Sequence, residues 1–297
     1  MNIKKRRYKL LVDFPLINRF LCETYNPITL SGGLIPPYFE FGHSHRRFNY
    51  HLTHKFGVWE DGDSIVGFVC YGMYPSDWPG QCHLHVRCGY EQLLPEMLDW
   101  AENELCDITE NKKRMGCWIT DKEEGKRKML IERGYVLADS QPCTAYDYSK
   151  GFSEIPLPDG YSMIDGRGVD YIKLDNCFYQ SFEGINSPFA NADHRVHMWN
   201  TPNTRLELNT IAVNPQGEYV AALGMWMDEH NEYAYLEPMG VVQKCQGMGI
   251  GKAILMAAMK KTHALGAKRC FGSSGKFYEA IGFEVVAQRE LWQKTII

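Results

Sequence analysis

Three things are scarce in this chain, and each scarcity removes a class of function. Basic charge does not predominate: 32 Lys and Arg stand against 36 Asp and Glu, for a formal charge of −4. A nucleic-acid partner calls for a clustered basic footprint, so none is expected. Uninterrupted apolar runs stay well short of the ~18 residues that a membrane span requires, so no membrane partner is expected. The basic start, Met1 to Arg7, is followed only by Leu10, Leu11 and Val12 before Asp13 and Pro15, too little for a secretory apolar region, and it reads as an edge strand or a solvated flank. Paired cysteines are missing as well. Ten are scattered without a Cys-x-x-Cys, and the nearest two are Cys82 and Cys88. Neither a zinc site nor a disulfide framework is supported, and a reduced, cytoplasmic setting fits best.

At 297 residues the chain suggests two domains of ordinary size. A break falls between Asp147 and Asp159, where Ser149-Lys150-Gly151 and Pro156-Leu157-Pro158-Asp159-Gly160 interrupt any periodicity, and it sets the domains at 1–150 and 155–297. The two halves parallel one another. Each reads as helix, hairpin, strand, helix, strand, short helix, strand: an α/β (α+β) arrangement with a mixed, mostly antiparallel sheet flanked by helices in each domain. Asp61-Gly62 marks the hairpin turn of the first half, and Asn214-Pro215-Gln216-Gly217 that of the second.

The most pointed local signal is Gln246-Gly247-Met248-Gly249-Ile250-Gly251, set between the apolar run Met239-Gly240-Val241-Val242 and the helical pattern from Ala253 to Met259. A strand that turns through glycines into a helix N-terminus gathers free N–H groups at the positive end of the helix dipole, which suits a phosphate. Two familiar loops fail on spacing. A nucleoside triphosphate loop needs Ser or Thr after Gly-Lys, yet Gly251-Lys252 is followed by Ala253. A dinucleotide fingerprint needs a third glycine where Lys252 or Ile254 stands.

What remains, Gln-x-x-Gly-x-Gly after a strand, resembles the acetyl-CoA pyrophosphate loop of the GNAT superfamily of N-acetyltransferases. Downstream, Phe277-Tyr278-Glu279-Ala280-Ile281-Gly282-Phe283 resembles the second mark of that superfamily, a tyrosine helix closed by glycine. Gly282 stands where a helix end favours a left-handed residue. The resemblance extends to tandem GNAT architecture, with a C-terminal domain similar to that of mycothiol synthase and a degenerate N-terminal copy. In that copy Leu130 takes the tyrosine's place, and Pro95 lies where a loop N–H is wanted.

The resemblance implies acetyl-CoA as cofactor and direct attack of an amine on its thioester. The backbone of Met239 and Val241 would pair with the pantetheine arm, and the N–H groups of Gln246, Gly247, Met248, Gly249, Ile250 and Gly251 would cradle the pyrophosphate beside Lys252. Tyr278 would be the general acid, or only a hydrogen-bond partner of the sulfur. Glu237, on one strand face with Tyr233 and Tyr235, would be the general base, or only the residue that recognises a cationic acceptor. Pro238 reads either as a mark of the splayed strands that admit the cofactor or as an ordinary edge-strand proline. Where many members carry Asn before the tyrosine helix, this chain has Ser273 and Ser274. Ser273 or Ser274 is expected to take over the capping of that helix and the cofactor contact, with Ser273 the cofactor-binding candidate.

The acceptor is expected along residues 182–203, which hold Asn191, Asp193, His194, Arg195, His197 and Trp199. The spacing of His194 and His197 supplies no carboxylate partner but Asp193, so no metal is expected. The function expected is N-acetylation of a small-molecule amine, with a homodimer left open. An acyl-CoA-binding regulator without transfer and a protein or peptide acetyltransferase are the alternatives.

Overall fold

The computed structural model of the chain describes residues 2–72, 80–109, 112–182 and 192–296. Two compact units emerge. One is built from Met1–Cys143 together with Val285–Ile297, the other from Thr144–Glu284. The sequence reading divides the chain at 150–155 instead, and gives the last strand to the second domain.

The first unit contains β1 (Ile3–Arg7), α1 (Leu10–Glu23), α2 (Pro36–Ser44), β2 (Gly57–Asp61), β3 (Ser64–Tyr71), β4 (Gln81–Val86), α3 (Leu94–Glu104), β5 (Asp107–Thr109), β6 (Lys112–Thr120), α4 (Glu124–Glu132) and most of β7 (Val136–Asp147). The basic start is the edge strand β1, paired antiparallel with β2. The β2–β3 hairpin turns at Gly62, whose φ of 61° is open to glycine at little cost. Strands β3 and β4 are antiparallel, whereas β4 and β6 are parallel over Gln81–His83 and Gly116–Trp118. The far side of β6 pairs antiparallel with the last strand of the chain, at Arg289 to Ile296. Ile17, Phe20 and Leu21 of α1, Met97 and Leu98 of α3, and Trp59, Phe68 and Ile119 of the sheet form one buried cluster. The four-residue spacing of Ile17 and Leu21 turns one stripe of α1 inward, as an amphipathic helix requires.

In the second unit β8 (Ser162–Asp165), α5 (Tyr171–Phe182), α6 (Asp193–Met198), β9 (Thr210–Val213), β10 (Tyr219–Asp228), β11 (Tyr233–Val241), α7 (Ile250–Ala264), β12 (Arg269–Gly272) and α8 (Lys276–Ile281) lead into β13 (Glu284–Ile296). Strands β8, β9, β10 and β11 run antiparallel, β11 and β12 parallel, and β12 pairs antiparallel with the end of β7. Helix α5 packs on β10 and β11, and α7 on β9, β10 and β11. Ile254, Leu255, Ala258 and Met259 of α7 supply its buried face. Among the described residues no helix is long and apolar enough to cross a membrane.

Candidate active site

The site begins where two parallel strands part. β11 and β12 are partners only from Tyr233 to Tyr235 against Arg269 to Phe271, yet β11 continues to Val241. On its other side β11 stays paired with β10, and Val242 N–H donates to the Val220 carbonyl at 2.9 Å. Backbone groups alternate along a strand, so Gly240 faces β10 as well, while Met239 and Val241 turn their N–H and C=O groups to the open side. The strand edge anticipated at Met239 and Val241 is therefore present. Gln246 partly covers it, since its side-chain amide donates to the Val241 carbonyl at 3.2 Å.

The parting is accompanied by an irregularity in β10. Register slips between Leu223 and Met225, and Gly224 lies so close to β11 that a Cβ there would stand 2.6 Å from the Glu237 carbonyl oxygen. Trp226 Nε1 donates to that same carbonyl at 2.8 Å. The Glu237–Pro238 peptide is cis. Pro238 thus sits opposite a bulge, in keeping with its inability to donate to a ladder.

Beyond Val241 the chain makes one short turn, Gln243–Cys245, and enters the glycine loop. Gly247 and Gly249 have φ of 79° and 80°, left-handed values that explain glycine at both places. Gly249 is the residue before α7, so the first N–H groups of that helix open toward the loop. Gly251 is required for closeness: a Cβ there would meet Val241 Cγ2 at 3.0 Å, Met239 Cε at 3.4 Å and Phe277 Cε2 at 3.4 Å. The edge, the loop and α8 enclose a cavity of about 600 Å³ whose walls include Met239, Val241, Gln246, Gly249, Lys252 and Tyr278. Gly247, Ile250 and Gly251 line it too, whereas Met248 is exposed and is not among its lining residues.

Tyr278 is held by the short helix α8. Gly282, with φ of 111°, ends that helix, and the N–H groups of Gly282 and Phe283 both reach back to the Tyr278 carbonyl. The ring packs edge-on against Phe277 and Phe283, with centroids 5.1 and 5.4 Å away. Burial, aided by the nearby charge of Glu237, pushes its hydroxyl up to about 12, so it keeps its proton at neutral pH. Glu237 is half-buried, and the desolvation of its carboxyl by the surrounding fold pushes it up to about 7. One group that holds a proton and one that readily exchanges it thus stand near the parting of the strands.

One expectation needs correction. Ser273 does not cap α8, because the residue before the helix is Gly275 with no side-chain cap, and Ser273 is exposed with its carbonyl accepting from Thr144 Oγ1 at 2.7 Å. Ser273 is also absent from the lining of the cavity. His194 meets a carboxylate that its own segment does not supply. Asp175, almost fully buried on α5, stands 2.8 Å from both His194 Nε2 and Arg195 Nε, and the Arg195 guanidinium lies 4.7 Å from the Phe178 ring centroid. Asn191 lies outside the described residues. No group of three or more potential metal ligands occurs among the described residues.

The site thus combines a free strand edge, a glycine loop at a helix N-terminus and a phenol beside them. Residues 175–283 match the model of the acetyltransferase (GNAT) family. Similarity of fold extends over the full chain. A tandem GNAT protein from the clavulanic acid biosynthesis pathway aligns with a TM-score of 0.60 and 13% identity, over 99% of this chain and 98% of that one. An acetyltransferase of the GNAT family from Colwellia psychrerythraea gives a TM-score of 0.58 at 16% identity, over 99% of both chains. A GCN5-related N-acetyltransferase from Sphaerobacter thermophilus gives 0.56 at 14%, over 99% of this chain and 95% of that one. The chain has the tandem GNAT fold. No curated protein matches it in sequence.

Proposed function

We propose that the protein is an acetyl-CoA-dependent N-acetyltransferase whose acceptor is the amine of a small molecule, with chemistry confined to the second unit. The observation that carries this reading is the open edge at Met239 and Val241, continuous with the glycine loop through the cavity that Tyr278 lines. The residues fit the donor. Gly251 leaves a floor that any side chain would fill, Gly249 and the α7 N-terminus offer N–H groups to a pyrophosphate, and Lys252 adds positive charge. Ser273 is left out of the donor contacts.

Bound acetyl-CoA would supply the activated acetyl thioester. Glu237, poised near neutrality, takes a proton from the acceptor ammonium and frees the nitrogen lone pair that forms the new amide bond. Tyr278 would give its proton to the departing sulfur, and the second proton, lost by the nitrogen as the amide forms, would pass through solvent to restore the phenol. The apolar walls of Val241, Phe277 and Ile281 limit competing water around these groups.

The test joins binding to turnover. Saturating acetyl-CoA at 100 times its dissociation constant should stabilise the chain by about 2.7 kcal/mol and raise its thermal midpoint. Gly249→Asp, which puts a carboxylate at a left-handed position facing the pyrophosphate, should abolish that rise. Release of free thiol from acetyl-CoA in the presence of a panel of small amines should then identify acceptors. Release with peptides alone would move the reading to a peptide acetyltransferase. A thermal rise without release for either class would make the chain an acyl-CoA-binding regulator.

A further inference from the structure

The first unit repeats the strand arrangement that opens the groove of the second. Its parallel strands β4 and β6 are partners only from Gln81 to His83 against Gly116 to Trp118, after which β4 continues to Val86 and β6 to Thr120. In the second unit the corresponding parting faces a cavity. In the first it faces protein: the turn Leu30–Gly33 packs against both β4 and β6.

That turn is tied down on every side. Thr120 Oγ1 donates to the Thr29 carbonyl at 2.8 Å, and Thr120 N–H donates to Glu123 Oε2 at 2.9 Å. The same carboxylate oxygen would lie 2.8 Å from a Cβ at residue 32, whose φ of 66° itself favours glycine. The ammonium of Lys126 donates to the Leu84 carbonyl at 2.6 Å and is paired with Glu123 at 2.7 Å, which uses up a carbonyl of the parted strand. His83 and His85, both buried, lie against the backbone of Gly32 and Ser31, and His85 Nε2 is 2.6 Å from Thr24 Oγ1. Leu30, Ser31, Gly32 and Gly33 all have positive φ, of 47°, 51°, 66° and 82°. Two of the four are not glycine, and such a run persists only where its surroundings over-determine it.

The phosphate end is closed too. The Gly89 N–H that follows β4 is taken by the Glu91 carboxylate at 3.0 and 3.1 Å, which puts a negative charge where a pyrophosphate would have to lie. Pro95, within the first turn of α3, has no N–H to offer.

We propose that residues 29–33 fill in the first unit the same strand-edge groove that the second unit keeps open, so that the chain has one acyl-CoA site and not two. Stated per chain, this rests on the acetyl-CoA reading of the second unit. The closure itself does not.

Equilibrium dialysis with radiolabelled acetyl-CoA should give one molecule per chain for the wild type and none for Gly249→Asp. Two per chain, or one retained by Gly249→Asp, would overturn the proposal. The seat of the turn is tested separately with Gly32→Val, which collides with Glu123 and demands a left-handed valine. Amide hydrogen exchange in 84–86 and 119–121 should quicken at least tenfold in that variant, while exchange in α7 and acetyl-CoA affinity stay within twofold of wild type. Unchanged exchange in 84–86 would mean that the turn does not cover the strand, and the closure would be wrong. If the wild type binds no acetyl-CoA at all, the reading of the second unit falls, and the exchange experiment still decides the closure.

Discussion

Replacing Glu237 by Gln should flatten the pH dependence of folding stability, by an amount that follows from the setting of its carboxyl. Burial moves that group from 4.5 to about 7, which corresponds to a preference of ~3 kcal/mol for the protonated form in the folded chain relative to the unfolded one. The folded value is the raised one, so the folded state holds the proton more tightly. Its stabilising contribution is complete below pH 4.5 and is lost as pH rises through about 7. At pH 5 the unfolded carboxyl is already mostly ionised, so roughly 1 kcal/mol is gone there, and by pH 8 nearly all of it. Urea unfolding at the two pH values should therefore show wild type losing about 2 kcal/mol more than Glu237→Gln between pH 5 and pH 8. The comparison uses no substrate, so it probes the burial of the carboxyl whatever its catalytic role. Parallel stability curves for the two proteins would show that Glu237 is as well solvated folded as unfolded, and would remove the reason for treating it as a base near neutrality.

Tyr278→Phe keeps the edge-on ring packing and removes the proton donor, so turnover should fall about 100-fold with acetyl-CoA affinity within about twofold. Full turnover in that variant would end the general-acid assignment. Gly224→Ala forces a methyl group to within 2.6 Å of the Glu237 carbonyl; a loss of ~1–3 kcal/mol in urea unfolding is expected, together with lower turnover. Asp175→Ala removes the buried carboxylate that meets both His194 and Arg195 and should cost ~3–5 kcal/mol; a denaturation midpoint equal to wild type would show that the pairing of α5 with α6 is dispensable.

The elements that could be read in the sequence are those whose reasons are local. Gly62, Gly249 and Gly282 each sit at a left-handed position that a turn or helix end demands, and each fixed a boundary in advance. The alternation along Tyr233 to Glu237 likewise gave the face of Glu237, whereas the edge groups of Met239 and Val241 came from the resemblance alone. Reasons that act at a distance stayed hidden. Asp175 meets His194 and Arg195 only because α5 and α6 come together, and nothing in the spacing of Asp175 says so. The turn at Leu30–Gly33 contains two glycines, but the left-handed conformation of Leu30 and Ser31 is imposed by contacts with β4 and β6. The capping role expected of Ser273 failed for a similar reason, since Thr144 fixes the backbone there and the helix starts after Gly275. For β13 the alternation of its residues gave no hint of which sheet would receive them.

That last strand sets an order on the making of the protein. Synthesis proceeds from the N-terminus, and domains commonly fold as they emerge. Here residues 144–284 form a continuous stretch that is complete before the first unit is, because β6 finds its antiparallel partner, and the first core receives Trp292, only when residues 289–296 have been made. The beginning of the chain must wait for its end. A fragment cut after residue 150 would keep β6 with one side unpaired, an exposed edge of the kind that invites aggregation, whereas 144–284 is the stretch to express alone.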